Sequence, residues 1–327
     1  MALVDAKIAR RGDFSKPSDI LVKWSPAVVV DRSLPEPPTA VFLHGILGSK
    51  KNWGTFTRRL AQEFPTWQFL LVDLRCHGDS ASTKKRGPHS VSSTALDVLE
   101  LVRQLRLTPR VIVGHSFGGK VALSMVDQAA KPLARPVRVW VLDATPGIVR
   151  PGAGGEDHPE ELISALRSSP TEGFRGQVSS KRDVVDALVQ KGFSKDVAQW
   201  VVTNLRPTNS LGSSPSTFPW VFDLKGIAEM YKSYEETNLW QLVHILIFWI
   251  IFIYDTGVNI YRLNILLINQ NTAHLSELVL ALIGSDHCRK IVEDVPRGVH
   301  VNILKAERSL HRWALRDLHR IHAAKCQ

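Results

Sequence analysis

Val111-Ile112-Val113-Gly114-His115-Ser116-Phe117-Gly118-Gly119-Lys120-Val121-Ala122-Leu123 decides how the chain is read. Three β-branched apolar residues in a row predict a strand buried on both faces, and Phe117 to Gln128 follows as an amphipathic helix. Ser116 therefore has a single residue in which to turn from strand to helix. A side chain at Gly114 or Gly118 would collide with the adjoining backbone, which is why such a turn needs glycine there. The turn lifts the Ser116 hydroxyl clear of the sheet's carboxyl edge. It also points the positive end of a helix at the reacting atom, where it favours an oxyanion. Ser116 is expected as a nucleophile; the alternative is a glycine-rich turn without chemistry.

Working outward, short apolar runs alternate with helical patterns. Ala40–Leu43, Phe69–Val72 and Val137–Leu142 read as strands, and 51–64 and Ser92–Leu105 as helices. Strand–helix–strand alternation of this kind predicts a doubly wound, mostly parallel α/β sheet with right-handed crossovers. Between 145 and 239 the pattern becomes helical: 160–167, 181–190, 194–205 and 223–234, with Gly192 as a stop signal and Ser194 as a start signal. No strand is expected among these helices, which read as a cap over the sheet.

The strand at 40–43 runs into His44-Gly45-Ile46-Leu47-Gly48-Ser49. Acyl transfer needs two backbone N–H donors aimed at the developing oxyanion, each worth about 3 kcal/mol of barrier. The Ile46 and Phe117 amides are the expected pair; the alternative for 44–49 is a merely flexible loop.

His44-Gly45, Asp73-Leu74-Arg75-Cys76-His77-Gly78-Asp79-Ser80 and Gly114-His115-Ser116-Phe117-Gly118-Gly119 together resemble the α/β-hydrolase superfamily, closest to its small-esterase branch. The resemblance covers 38–243 and 293–325. It implies an eight-stranded sheet, a helical cap, and a serine–acid–histidine triad cleaving esters through an acyl-enzyme. It also implies that the loop 73–80 shapes the edge of the site. Some members carry the acid at the end of the strand that Asp143 closes; the alternative strand end offers Glu307. The family's histidine follows an eighth strand, and none of His311, His319 and His322 has that context, so the catalytic histidine is unknown. His44 and His115 lie inside the motifs and are not expected as the base. On this reading the chain stops before the last strand and helix of the fold.

Residues 244–292 depart from the pattern. Ile245–Tyr254 is an uncharged apolar run, shorter than the ~20 residues that span a bilayer. Its alternatives are a membrane-surface or aggregation-prone segment. Removing 244–292 would restore an ordinary cap-to-strand linker, so the insert reads as translated non-coding sequence or as a genuine hydrophobic hairpin. Alternation resumes at His300–Leu304, followed by a helix at 309–324. The expected organisation is a lead-in with the first strands (1–38), core (39–146), cap (147–243), atypical insert (244–292) and returning core (293–327).

The 327 residues, 44% apolar and 22% charged, have the composition of a globular protein. A net charge of +10 is scattered, and no recognition motif accompanies it, so nucleic-acid binding is not expected. Three cysteines without CxxC spacing argue against a disulfide scaffold and against a thiolate zinc site. His319 and His322 share a helical face but read as solvent-facing, so neither metal nor organic cofactor is expected. The N-terminus has no signal-peptide pattern, and the chain reads as intracellular, cytoplasmic or organellar. The expected partner is a small acyl ester, with Trp200, Phe218, Trp220 and Trp240 lining its pocket or packing cap on core. Oligomeric state is not readable. Epoxide or haloalkane hydrolysis would need aspartate where Ser116 stands. The rival reading is a hydrolase-like binding protein, or a non-functional product, without turnover.

Overall fold

The computed structural model describes residues 6–9, 37–83, 86–129, 137–149, 157–168, 177–178, 180–206, 218–240, 265–268 and 299–306; 6–9, 177–178, 265–268 and 299–306 are described by backbone path. The strands are β1 (Ala6–Ala9), β2 (Thr39–Leu43), β3 (Gln68–Val72), β4 (Pro109–His115), β5 (Val137–Leu142), β6 (Gln177–Val178), β7 (Phe218–Pro219), β8 (Ile265–Ile268) and β9 (Val299–Ala306). The helices are α1 (Gly54–Glu63), α2 (Val91–Gln104), α3 (Phe117–Gln128), α4 (Pro159–Ser168), α5 (Lys181–Gln190), α6 (Lys195–Val201) and α7 (Leu224–Glu236). The main sheet runs β1-β3-β2-β4-β5-β9-β8, with β1 antiparallel and every other neighbouring pair parallel. The doubly wound α/β architecture is therefore present.

Period-two alternation divides the strand residues between two apolar layers. Val41, Leu43, Leu70, Val72, Ile112, Val139 and Val141 face the layer that holds α2, α3 and the cap. Ala40, Phe42, Phe69, Leu71, Val111, Val113 and Trp140 face α1, where Leu60 and Ala61 are buried. Covering both faces explains the uninterrupted apolar runs of β2 and β3, which are buried at every position. Each such side chain contributes about 1.5–3 kcal/mol by leaving water. The chain steps from β2 to β3 on one side, then returns across β2 to β4. Reversal at that point makes the carboxyl ends of β2 and β4 the usual place for a ligand in this architecture.

Helix ends follow their local chemistry. Ser90 Oγ accepts from the Ser93 amide at 3.1 Å while Ser93 Oγ accepts from the Ser90 amide at 2.9 Å, a reciprocal cap that starts α2 one residue before the expected Ser92. Gly192, at φ +94°, ends α5, and Ser194 caps α6 through the Val197 amide.

One expectation is corrected. The cap is not purely helical: β6 and β7 pair antiparallel between its helices, a ribbon of two residues a side that is too short to leave a period in the sequence. Within 244–292, residues 265–268 form β8, which joins the main sheet parallel to β9. The rest of that segment, the helix at 309–324 and the proposed end of the chain's core lie outside the described residues. Among the described residues the main sheet has seven strands.

Helix α7 packs on α2, α3 and α4. Polar ties fasten the cap to the core: Val91 N donates to Ser233 Oγ at 3.1 Å, Asn204 Nδ2 to the Leu47 carbonyl at 3.1 Å, and Arg206 pairs with Asp79.

Candidate active site

Ser116 lies between the last residue of β4 and the first of α3, at φ +51° and ψ −117°. That conformation is strained for any residue with a Cβ and persists only where its surroundings hold it. Here they do: the Ser116 amide donates to the Leu142 carbonyl at 2.8 Å, and its carbonyl accepts from Gly119 at 2.8 Å. A Cβ on Gly114 would lie 2.1 Å from the Gly118 carbonyl oxygen, and one on Gly118 would lie 2.6 Å from the carbonyl oxygens of both Leu43 and His44. Both collisions are with backbone, so neither can be relieved by a side-chain rotation.

The contact of Gly118 with 43–44 brings the loop after β2 against the start of α3. Within that loop the Leu47 amide donates to His77 Nε2 at 3.0 Å and the Gly48 amide to the Gly45 carbonyl at 3.0 Å. Among the described residues, neither the Ile46 amide nor the Phe117 amide has an acceptor, the latter as expected at the first turn of a helix. Gly45 must lack a side chain here, since a Cβ would lie 3.0 Å from His115 Nδ1 and 3.3 Å from Ser116 Cβ.

His44 and His77 are buried and hold loops in place. His44 Nε2 accepts from the Leu74 amide at 3.0 Å, so Nδ1–H donates to the Gly45 carbonyl at 2.8 Å. His77 repeats the pattern with the Leu47 amide and, at 2.8 Å, the Arg75 carbonyl. Burial pulls their pKa values down to about 4 and about 3, and both are neutral near pH 7. Asp73 braces the same region, accepting from the amides of Lys50 at 2.7 Å and Asp79 at 2.9 Å. The loop 73–80 therefore lies beside the site.

Asp143 follows β5 directly, with φ +50°, and its carboxylate acts electrostatically on His115 and on Tyr234. Tyr234, from α7, is fully buried and shares a hydrogen bond with the Ser116 hydroxyl. Burial first, then Tyr231 and Asp143, push its phenol well above the ordinary value, so it stays protonated. Lys120, also fully buried, donates Nζ–H to the carbonyls of Gly147 (2.7 Å), Thr237 (2.9 Å) and Tyr234. Burial draws its pKa down to about 7, with Glu235 opposing.

Sequence reasoning missed Tyr234 and Lys120. The only signal for Tyr234 was an apolar stripe on α7, which reads as packing; for Lys120 it was a charge on a helix with no polar face. Of the tryptophans, Trp240 is buried with its indole against Gly147, and Trp220 stacks on Phe222 at 5.8 Å, while Trp200 and Phe218 pack on the core. Ser116, Ile46, Phe117, Asp143, His44, Gly45, Gly114, His115 and Gly118 are brought to one end of the sheet. Glu307, His311, His319 and His322 lie outside the described residues. Among the described residues, no helix is long and apolar enough to cross a membrane.

A doubly wound sheet with a strained strand-to-helix turn under a cap marks an α/β-hydrolase scaffold. The profile of the alpha/beta hydrolase family matches residues 40–288, and the chain belongs to that family. It is similar to a Xenopus tropicalis protein named "sn-1-specific diacylglycerol lipase ABHD11", 30% identical over 203 residues that cover 61% of this chain and 57% of that protein. The mouse protein of the same name is 32% identical over 170 residues, 51% of each chain. The chain thus spans about half the length of the curated relatives it matches. Among solved structures it is similar in fold to a marine microorganism esterase, with a TM-score of 0.55, 14% identity and coverage of 100% of this chain and 98% of that one.

Proposed function

We propose that this protein is a carboxylic-ester hydrolase working through an acyl-enzyme, with Ser116 as nucleophile. The observation that carries the reading is the strained Ser116 backbone, held between two glycines that backbone contacts leave no room to replace. Ser116 Oγ attacks the ester carbonyl and passes its proton to a histidine base, which returns it to the departing alcohol, while the carbonyl oxygen becomes an oxyanion. The Ile46 and Phe117 amides receive that charge, aided by the N-terminus of α3. Collapse expels the alcohol and leaves the acyl group on Ser116; water then attacks, and the acid departs. Asp143 is the acid that orients and stabilises a histidine base. His44 and His77 are unsuited to be that base, because both ring nitrogens of each are bound to backbone groups. The base is not assigned among the described residues.

The names of the relatives support an acyl-lipid or small-ester substrate. A non-catalytic, ligand-binding role is favoured by one observation: the two buried histidines beside the serine, His44 and His77, each have both ring nitrogens engaged by backbone groups. A fluorophosphonate probe with short-chain ester assays separates the two. Labelling and turnover that vanish in Ser116→Ala, with turnover falling on the order of 10³–10⁴-fold in Asp143→Asn, support the hydrolase. Folded protein that takes no label supports the binding role.

A further inference from the structure

Outside the serine site, three segments far apart in sequence converge on one thiol. Cys76 comes from the loop after β3, His89 from the turn leading into α2, and Asp223 caps the N-terminus of α7. Cys76 Sγ is buried, 3.5 Å from His89 Nδ1 and 4.0 Å from Asp223 Oδ2, and one ligand atom from each of the three residues lies within 4.8 Å of the others.

The 3.5 Å separation matches a tetrahedral ion, and the wider ones close by small side-chain shifts. Bonds of about 2.3 Å to sulfur and about 2.0–2.1 Å to imidazole nitrogen or carboxylate oxygen, at the tetrahedral angle, set sulfur about 3.6 Å from its neighbours. The donor set of thiolate, imidazole and carboxylate suits a borderline divalent metal rather than calcium or magnesium. Asp223 is also held for the task. Its Oδ1 accepts from the amides of Lys225 (3.2 Å) and Gly226 (3.1 Å), which leaves Oδ2 turned to the sulfur. Supporting bonds of this kind orient metal ligands. The first turn of α7 closes on the thiol because residue 226 is glycine; a Cβ there would lie 2.4 Å from Sγ. Glu229 and Asp97 add negative charge around the thiol, Asp97 being paired with Arg75 at 2.8 Å.

We propose that Cys76, His89 and Asp223 bind a zinc ion, with solvent as fourth ligand. As the sulfur–metal bond forms, the Cys76 proton passes to solvent, and thiolate and carboxylate together balance the charge of the ion. The bound ion joins the loop 73–80, the start of α2 and the cap helix α7, cross-linking cap to core. Cysteine spacing argued against a thiolate site because the ligands come from separate segments, and no local pattern could show them.

The full chain, freed of metal, is titrated with Co²⁺ as a spectroscopic probe and then with Zn²⁺. One equivalent of Co²⁺ is expected to give a sulfur-to-metal charge-transfer band that Zn²⁺ displaces, and Zn²⁺ should raise the melting temperature. Cys76→Ser should abolish the band, while His89→Ala and Asp223→Asn weaken binding at least about tenfold. Asparagine still caps α7, so Asp223→Asn remains informative if Cys76→Ser does not fold. No band in the full chain, a band that survives in Cys76→Ser, or affinity unchanged in both His89→Ala and Asp223→Asn would overturn the proposal.

Discussion

The Lys120 ammonium lies 4.4 Å from the ring centroid of Tyr234 while bonding to that residue's own carbonyl. One side chain of α3 thus fixes both the ring and the backbone of the cap tyrosine that reaches Ser116. Lys120→Met would keep the stem's packing but leave the carbonyls of Gly147, Tyr234 and Thr237 without their donor. With each orphaned buried acceptor worth about 1–3 kcal/mol, urea unfolding should show a loss of about 3 kcal/mol or more.

Tyr234→Phe retains the ring beneath Lys120 and removes the hydroxyl alone. One neutral hydrogen bond is worth about 0.5–1.5 kcal/mol, so the rate of fluorophosphonate labelling at Ser116 should fall about 2- to 10-fold. KM for a short ester should stay unchanged. A larger KM with an unaltered labelling rate would place the hydroxyl against substrate instead.

Strain at the serine can be measured directly. Ser116→Ala retains a Cβ at φ +51°, whereas Ser116→Gly releases it. Both variants should fail to label, yet Ser116→Gly should be the more stable by about 1 kcal/mol in chemical denaturation. Equal stability would mean that the turn is relaxed.

Acid should loosen the loops beneath the site before it touches the carboxylates. His44 and His77 titrate near 6.5 when unfolded but, chiefly through burial, at about 4 and about 3 when folded, where His115 and Lys50 face the first, and His44 and, in opposition, Asp73 face the second. Below pH 6.5 the unfolded chain binds more protons, so their stabilisation, full above pH 6.5, is lost as pH falls toward 4. The slope approaches about 1.4 kcal/mol per pH unit for each histidine. Unfolding free energies measured between pH 7.5 and 4.5 should fall accordingly, and His77→Gln should flatten the decline.

Much of this was legible in the sequence for a physical reason. Strands buried on both faces cannot hide their apolar runs, and α3 begins and ends at Phe117 and Gln128 as its pattern predicted. The glycines flanking Ser116 announced a close approach that the backbone distances bear out. Contacts across the cap were silent instead. Tyr234 and Lys120 carry ordinary local signals, and their meaning arises only when α7 is laid on α3. The ribbon of β6 and β7 is too short for periodicity, and β8 sits in a segment whose composition looked foreign to the fold.

Leu43 and Gly114 are paired in register on adjacent strands, and the absent side chain of Gly118 lets one turn rest directly on the other. The gap between the two amide-bearing turns is therefore dictated by strand pitch, about 4.8 Å, with no exchangeable group inserted. Any retuning toward a longer or bulkier guest has to come from the roof of α4–α7, and a mutagenesis library confined there would leave the floor undisturbed.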